Sequence, residues 1–356
     1  MSSPALAESK LAALVEQVRA AQAARTPLRI VGGCTKDRFR GTPTAQPLAM
    51  SSYRGIVDYV PAELVVVARA GTPLAEIEAE LAARGQRLAF EPPRTGREST
   101  LGGMVAAGFA GPSRPWTASV RDHVLGVTLL GADGQLVRYG GQVMKNVAGY
   151  DVPRLVVGAW GVLGPIVEVA LRVVPVPAAI RGFSWACSLD EARAWMRRAG
   201  QKPWPVSGLC HDGTALHVRL EGAHAAVSAA AVGLPDGAVE ESLGFFEALR
   251  DWSLDFFQRK GPLWRVLLPP NAEPWRLAGE TLWDWGGALR WLCTDAPAEE
   301  IRALARNAGG SARLFDSTFA GAAAESEVQR TLEARLRAVF DADGLFACNA
   351  ASSDPH

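Results

Sequence analysis

No two of the chain's five cysteines, Cys34, Cys187, Cys210, Cys293 and Cys348, form a CxxC or a tight cluster. That spacing excludes an iron–sulfur or structural zinc centre built by this chain alone. The five histidines show neither HxH nor HExxH spacing, so no metal site is expected. Any redox chemistry here needs an organic cofactor or a partner to carry the electrons. Charge of one sign is also missing: Lys plus Arg and Asp plus Glu each number 37. A balanced chain gives no electrostatic case for nucleic acid or an anionic membrane. No apolar run reaches the roughly 20 residues that span a bilayer. The N-terminal stretch reads as a charged amphipathic helix rather than a signal peptide with an unbroken apolar core. These absences point to a cytoplasmic protein without a transmembrane segment.

What is present is enough chain, 356 residues, for two domains with a large core. Nine of the eleven tryptophans lie after residue 180, so the two halves differ in kind. In the first half the pattern predicts a helix over 8–25, with Leu11, Leu14, Val15 and Val18 on one face, then a strand over 28–31. Strands follow at 55–60 and 63–71. A helix over 72–86 is expected to be N-capped by Thr72, with Pro73 at its first position and Gly85 at its end. A hairpin over 123–141 turns at Asp133-Gly134, and a strand over 165–177 closes the half.

The second half reads as a repeated β-α-β-β-α unit. The first copy is a strand at 181–188, a helix at 189–200, a hairpin about Asp212-Gly213 and a helix at 221–234. The second is a strand at 262–269, a helix at 271–280, a hairpin about Gly286-Gly287 and a helix at 296–309. Between the copies lies a polar and aromatic insertion. Its Trp252, Phe256 and Phe257, with Trp264 just after, would either dock a partner or fill the core. His211, His217 and His224 are expected as surface or hairpin residues.

Glycine-rich connections concentrate at three places in the first half. Gly32-Gly33-Cys34-Thr35-Lys36 directly follows a strand, and successive N–H groups in such a loop form a concave anion site. Thr100-Leu101-Gly102-Gly103 opens a run of small residues that lets a helix N-terminus approach a ligand. Gly158, Gly161 and Gly164, three apart, run straight into a β-branched stretch. Each alone is equally well a tight turn. Together, spread over the half, they suit a long ligand of dinucleotide shape.

The segments "RIVGGCTK", "TLGGMVAAGFAGPSRPW", "SVRDHVLGV", "MKNVAGYDVPRL" and "GAWGVLGPIVEVALRVVP" occur in that order. In these motifs the chain resembles the FAD-binding subunits of bacterial glycolate oxidase, of the vanillyl-alcohol-oxidase (PCMH) type of FAD-linked oxidoreductases. The resemblance is dense over about 10–177 and thin beyond. It implies an α+β fold: a PCMH-type FAD-binding domain over 1–177, made of two α+β subdomains at about 1–58 and 59–177. A smaller α+β cap domain over 178–356 would carry the repeat and lie on the substrate side.

The resemblance also implies roles. The diphosphate of FAD would lie at Gly32, Gly33, Cys34, Thr35 and Lys36. Pro93, Leu101, Gly102 and Gly103 would line the flavin and ribityl side, and Ser119 matches the small hydroxyl residue before Arg121-Asp122. The adenine end would meet the backbone at Gly158, Gly161 and Ile166. Cys34 is read as a small residue lending its N–H, so FAD is expected to be non-covalent. Lys145 and Asn146 are catalytic candidates, with fixing the "GYD" turn as their alternative role. The family's C-terminal segment near the flavin is degenerate, with Asn349 as its remnant.

The implied reaction is oxidation of glycolate, a 2-hydroxy acid, to glyoxylate by an FAD-dependent oxidoreductase acting on CH–OH. It would take place in a complex with a paralogous FAD-linked hydroxy-acid subunit and an iron–sulfur subunit, which alone would bring the chain to the inner face of a membrane. Two alternatives stay open: an accessory subunit that holds flavin without turnover, and a free-standing FAD dehydrogenase of another small hydroxy acid.

Overall fold

The computed structural model describes residues 4–39, 44–141, 150–275, 277–315 and 327–347. They divide into two compact units. Unit 1 takes the residues up to Phe109, Ser119–Pro175 and those from 327 on; unit 2 takes Ala110–Ala118 and the residues from Val176 to 315.

Unit 1 begins with α1 (Pro4–Ala24), which buries Ala7, Leu14, Val18 and Ala21. These positions share one face of a 3.6-residue helix. They pack on Leu28 of β1 (Leu28–Val31) and Leu48 of β2 (Gln46–Ala49), two strands paired in parallel. Next come β3 (Ile56–Val60), β4 (Val65–Arg69) and α2 (Leu74–Ala82). Thr72 does not cap α2, contrary to the sequence reading; Pro73 holds that position. The Thr72 hydroxyl, fully buried, instead donates to the Arg69 carbonyl (2.6 Å) and accepts from the Gly55 N–H (2.8 Å), tying the end of β4 to the loop before β3.

Then follow β5 (Gln86–Arg87), α3 (Leu101–Ala107), α4 (Arg114–Thr117, in unit 2) and α5 (Val120–His123). The hairpin β6 (Val124–Leu130) and β7 (Leu136–Gly140) turns where Asp133 accepts from the Gln135 N–H and Gly134 takes φ +73°. After α6 (Val152–Leu155), β8 (Ile166–Arg172) enters the centre of an antiparallel sheet of order β3-β4-β8-β6-β7, and β9 (Val174–Pro175) pairs with β5. The valine run of β4 and the "IVEVAL" of β8 are nearly continuous apolar stretches, as central strands covered on both faces require.

Unit 2 is built on one antiparallel sheet of eight strands. Its elements are β10 (Ala179–Ala186), α7 (Leu189–Ala199), β11 (Val206–His211), β12 (Ala215–Gly222), α8 (His224–Val232), β13 (Val239–Glu241) and α9 (Gly244–Arg250). They continue with β14 (Leu263–Leu267), β15 (Glu280–Asp284), β16 (Leu289–Cys293), α10 (Ala298–Asn307) and β17 (Ser311–Leu314). The order is β13-β10-β12-β11-β15-β16-β14-β17, and the two halves join through β11 and β15 at His211 and Trp283.

The first copy of the repeat forms as expected, with α7 opened by a Ser188–Glu191 capping box. The second copy lacks its first helix. The described residues between β14 and β15 are irregular, and the Arg290 guanidinium donates to the carbonyls of Ala272 and Glu273 (the latter at 2.8 Å). Pro269, Pro270 and Pro274 remove N–H donors from the same stretch.

The aromatic insertion is core, not surface. Trp252, Phe256 and Trp264 are buried, and Trp252 and Phe257 both meet the Trp291 ring edge-on. His211 and His217 are also buried. His217 stacks on Phe245 at 3.5 Å and lies between Asp212 and Glu241, at 3.2 and 2.9 Å. His224, at the start of α8, is exposed.

Finally α11 (Glu327–Phe340) leads the chain back to unit 1. The Leu28 N–H donates to the Leu345 carbonyl and the Ala347 N–H to the Leu28 carbonyl, both at 2.8 Å, and Phe346 is buried in the α1–β1 core. The division therefore differs from the expected 1–177 and 178–356. A short early segment joins unit 2, where the Gly111 carbonyl accepts from the Trp285 indole, and the last described segment joins unit 1.

Candidate functional site

Unit 1 holds a cavity of about 990 Å³, open solvent at its mouth included. It is floored by the loop after β1, walled by the first turns of α3, and closed by the turns before β8.

The loop after β1 lies against the 96–100 segment. A Cβ on Gly33 would fall 1.6 Å from the Glu98 carbonyl oxygen, and one on Gly32 2.6 Å from Thr100 Oγ1. Gly33 is therefore demanded by the backbone of that segment, and Gly32 by the Thr100 side chain. Cys34 takes φ +55°, which turns the chain so that the following residues border the cavity. The N–H groups of Gly33, Cys34, Thr35 and Lys36 bond to no protein acceptor among the described residues. A concave run of such donors is an anion cradle.

The loop's side chains are ordered by one another. Arg29 pairs with Asp37 at 3.2 Å; Thr95 donates to Thr35 Oγ1 at 2.9 Å; Lys36 Nζ donates to Ser99 Oγ at 2.7 Å. Burial pulls the Lys36 ammonium down to about 8. The Cys34 thiol is pushed up, by partial burial first and by Asp37 second.

The first turn of α3 behaves differently from the sequence expectation. Its N–H groups are spent within the protein: Leu101 on the Thr72 carbonyl, Gly102 on the Ala70 carbonyl, and Gly103 on the hydroxyl of its N-cap Thr100. Gly102 packs just past the end of β4, where a Cβ would lie 2.8 Å from Ala70 Cβ. A Cβ on Gly103 meets only Thr100 Oγ1, at 3.1 Å, and the residue borders the cavity.

The spaced glycines before β8 answer to backbone conformation. Gly158, Gly161 and Gly164 have φ of +80°, +83° and +112°, and Trp160 between them +55°. This chain of turns is stitched to the end of α3: the Gly158 N–H donates to the Val105 carbonyl (3.1 Å) and the Trp160 N–H to the Ala106 carbonyl (2.9 Å).

Of the residues singled out in the sequence, the cavity brings together Gly32, Gly33, Cys34, Thr35, Lys36, Gly102, Gly103, Gly161 and Ile166. Pro93, Leu101, Ser119 and Gly158 are not among its lining. Leu101 is buried, and the Ser119 hydroxyl is held by Asp122 at 2.7 Å in a capping box that starts α5. Lys145, Asn146 and Asn349 lie outside the described residues.

Sequence reasoning missed Arg29, Met50, Trp160 and Ala347 as lining residues. Trp160 could have been found from its place among the turn glycines. Ala347 arrives only through the C-terminal return, which leaves no local signal. In unit 2 it also missed that Arg265 and Arg313 are cross-strand neighbours. Arg265 is lowered to about 10, by burial first and then by Arg114 and Arg313.

Comparison with known proteins agrees with this geometry. Residues 7–140 match the family model described as an FAD binding domain. The chain is 46% identical over 335 residues to the glycolate oxidase subunit GlcE of Escherichia coli (strain K12), covering 94% of this chain and 95% of that one. A shorter match, 38% over 85 residues, links it to the glycolate oxidase subunit GlcD of Bacillus subtilis (strain 168), covering 24% of this chain and 18% of GlcD. Another, 30% over 151 residues, links it to a D-lactate dehydrogenase of Archaeoglobus fulgidus, covering 42% of this chain and 33% of that enzyme. Among solved structures, an alkyldihydroxyacetonephosphate synthase superposes with a TM-score of 0.65 at 14% identity, over 94% of this chain and 74% of its own, a likeness of fold. The α+β fold, the cradle after β1 and the near full-length identity converge: this chain belongs to the GlcE family of glycolate oxidase subunits, among the FAD-linked oxidoreductases.

Proposed function

We propose that the chain is the FAD-holding subunit of a cytoplasmic complex that oxidises glycolate to glyoxylate. A paralogous FAD-linked subunit and an iron–sulfur subunit would be its partners and its route to the inner face of a membrane. The observation that carries this reading is the cavity of unit 1, whose free loop N–H groups and half-buried Lys36 suit a diphosphate. Gly33, Cys34, Thr35 and Lys36 would hold that diphosphate, with Gly103 giving room to the ribityl side and Ile166 bordering the adenine end. FAD, held without a covalent bond, would accept the hydride, and with it the two electrons, that a 2-hydroxy acid loses from carbon. The chain's own part is to bind, orient and exclude water.

One observation favours the accessory reading, in which this chain holds flavin and a partner performs the turnover. The cavity's lining includes no histidine among the described residues, and its one carboxylate there, Asp37, is paired with Arg29. Apart from Lys36, which this reading gives to the diphosphate, those residues offer no general base for the substrate hydroxyl. The visible spectrum of the chain, purified alone and with its partners, distinguishes the two. Bleaching by glycolate in the isolated chain assigns turnover to it; bleaching only in the complex assigns the accessory role.

A further inference from the structure

Lys36 is the least compensated cation of the cavity. Its Nζ has two partners, the hydroxyls of Ser99 at 2.7 Å and Thr35 at 3.4 Å, and both are neutral. Among the described residues no carboxylate lies within ion-pair reach of it. Asp37, one residue on, is turned to Arg29. A half-buried ammonium with only neutral partners lacks a counter-charge, and a charged ligand would complete the pair. The helix that borders the cavity cannot take the ligand's charge, because the first three N–H groups of α3 are already bonded within the protein. Anion binding therefore falls to the loop of residues 33–36, and its one formal positive charge is Lys36.

We propose that the Lys36 side chain, beyond the loop's backbone, is the specificity-determining cation of this site. Its ammonium pairs with the diphosphate of the ligand and makes the cavity select a dinucleotide over the neutral flavin. The Ser99 hydroxyl, held by the 96–100 segment that packs on Gly33, fixes where the ammonium sits. This inference rests on the FAD reading above.

The test uses the full-length chain stripped of flavin, with binding followed by quenching of flavin fluorescence for FAD and riboflavin and by competition for ADP. Lys36→Met should weaken FAD and ADP by about ten- to a hundredfold, the range of a charge-assisted hydrogen bond, and leave riboflavin unchanged. Lys36→Arg should keep FAD within a few-fold of wild type. Near-ultraviolet dichroism confirms that the fold is intact; should the methionine variant fail to fold, Lys36→Gln carries the same expectation. Equal FAD affinity in the variant and wild type overturns the proposal while leaving the FAD reading standing. An equal loss for riboflavin also overturns it, since that reports a collapsed cavity rather than a lost charge. Wild-type chain that binds no FAD removes the FAD reading and this inference with it.

Discussion

At the scale of the residue, Lys36 links the site to pH. Burial holds its ammonium at about 8, against 10.5 in the unfolded chain. Between those values the unfolded chain carries more protons than the folded one, so the apo protein gains stability as pH rises. FAD binding has the opposite sign. An anion favours the protonated form, so affinity should be flat below about pH 8 and fall above it, by up to about tenfold per pH unit. Dissociation constants between pH 6.5 and 9.5 check this, with Lys36→Met expected to be flat throughout. The other charged groups around the loop are Arg29 and Asp37, which neutralise each other, and Arg97 and Glu98 of the 96–100 segment. The Cys34 thiol titrates higher still, and Cys34→Ser removes its share.

At the scale of the element, Gly102 and Gly103 are neighbours with different tasks. Both border the cavity, but Gly102 also lies against Ala70, just past the end of β4, so Gly102→Val overpacks the core there and should cost about 1–3 kcal/mol. Gly103 borders the cavity and meets only the Thr100 hydroxyl, so Gly103→Val should keep the melting temperature and lose FAD. Thermal melts beside flavin content separate the two; equal loss of stability in both would make the turn purely structural.

The same elements show what the sequence made legible. The β1 strand with its glycine loop and the β6–β7 turn at Asp133-Gly134 are written in local chemistry and were read from it. The Ser188–Glu191 capping box is equally local, but its serine was read as the end of the preceding strand. Nine of the residues that the resemblance assigned to FAD border the cavity. The fate of the helix expected at 271–280 was not legible, because it is decided by Arg290, 17 and 18 residues beyond the carbonyls it takes and that a helix would use. Nor was the burial of Trp252 and Phe256, since an aromatic run looks the same whether it meets Trp291 or a partner. The side of Gly102 that packs on Ala70, and the side of Gly103 that does not, differ by one residue and only in three dimensions.

At the scale of the whole molecule, unit 1 is completed by a segment that is nearly the last of the chain. Phe346 is 1% exposed within the α1–β1 core, and Ala347 borders the cavity. Phe346→Ala should therefore destabilise unit 1 by about 3–5 kcal/mol and release flavin, although the residue lies far from the glycine loops in sequence. Hydrogen exchange would show the loss of protection in α1 and β1 while the eight-stranded sheet of unit 2 keeps its own; unchanged protection in α1 would contradict the account. No helix among the described residues is long and apolar enough to cross a membrane.

The central claim is that this chain holds FAD without a covalent bond in the cavity of unit 1. The chain, reconstituted with FAD, freed of excess and precipitated with acid, tests it most directly. The account predicts one FAD per chain in the supernatant for wild type and little for Gly103→Val. Flavin that stays in the washed pellet, or a wild-type chain that retains none, would contradict it.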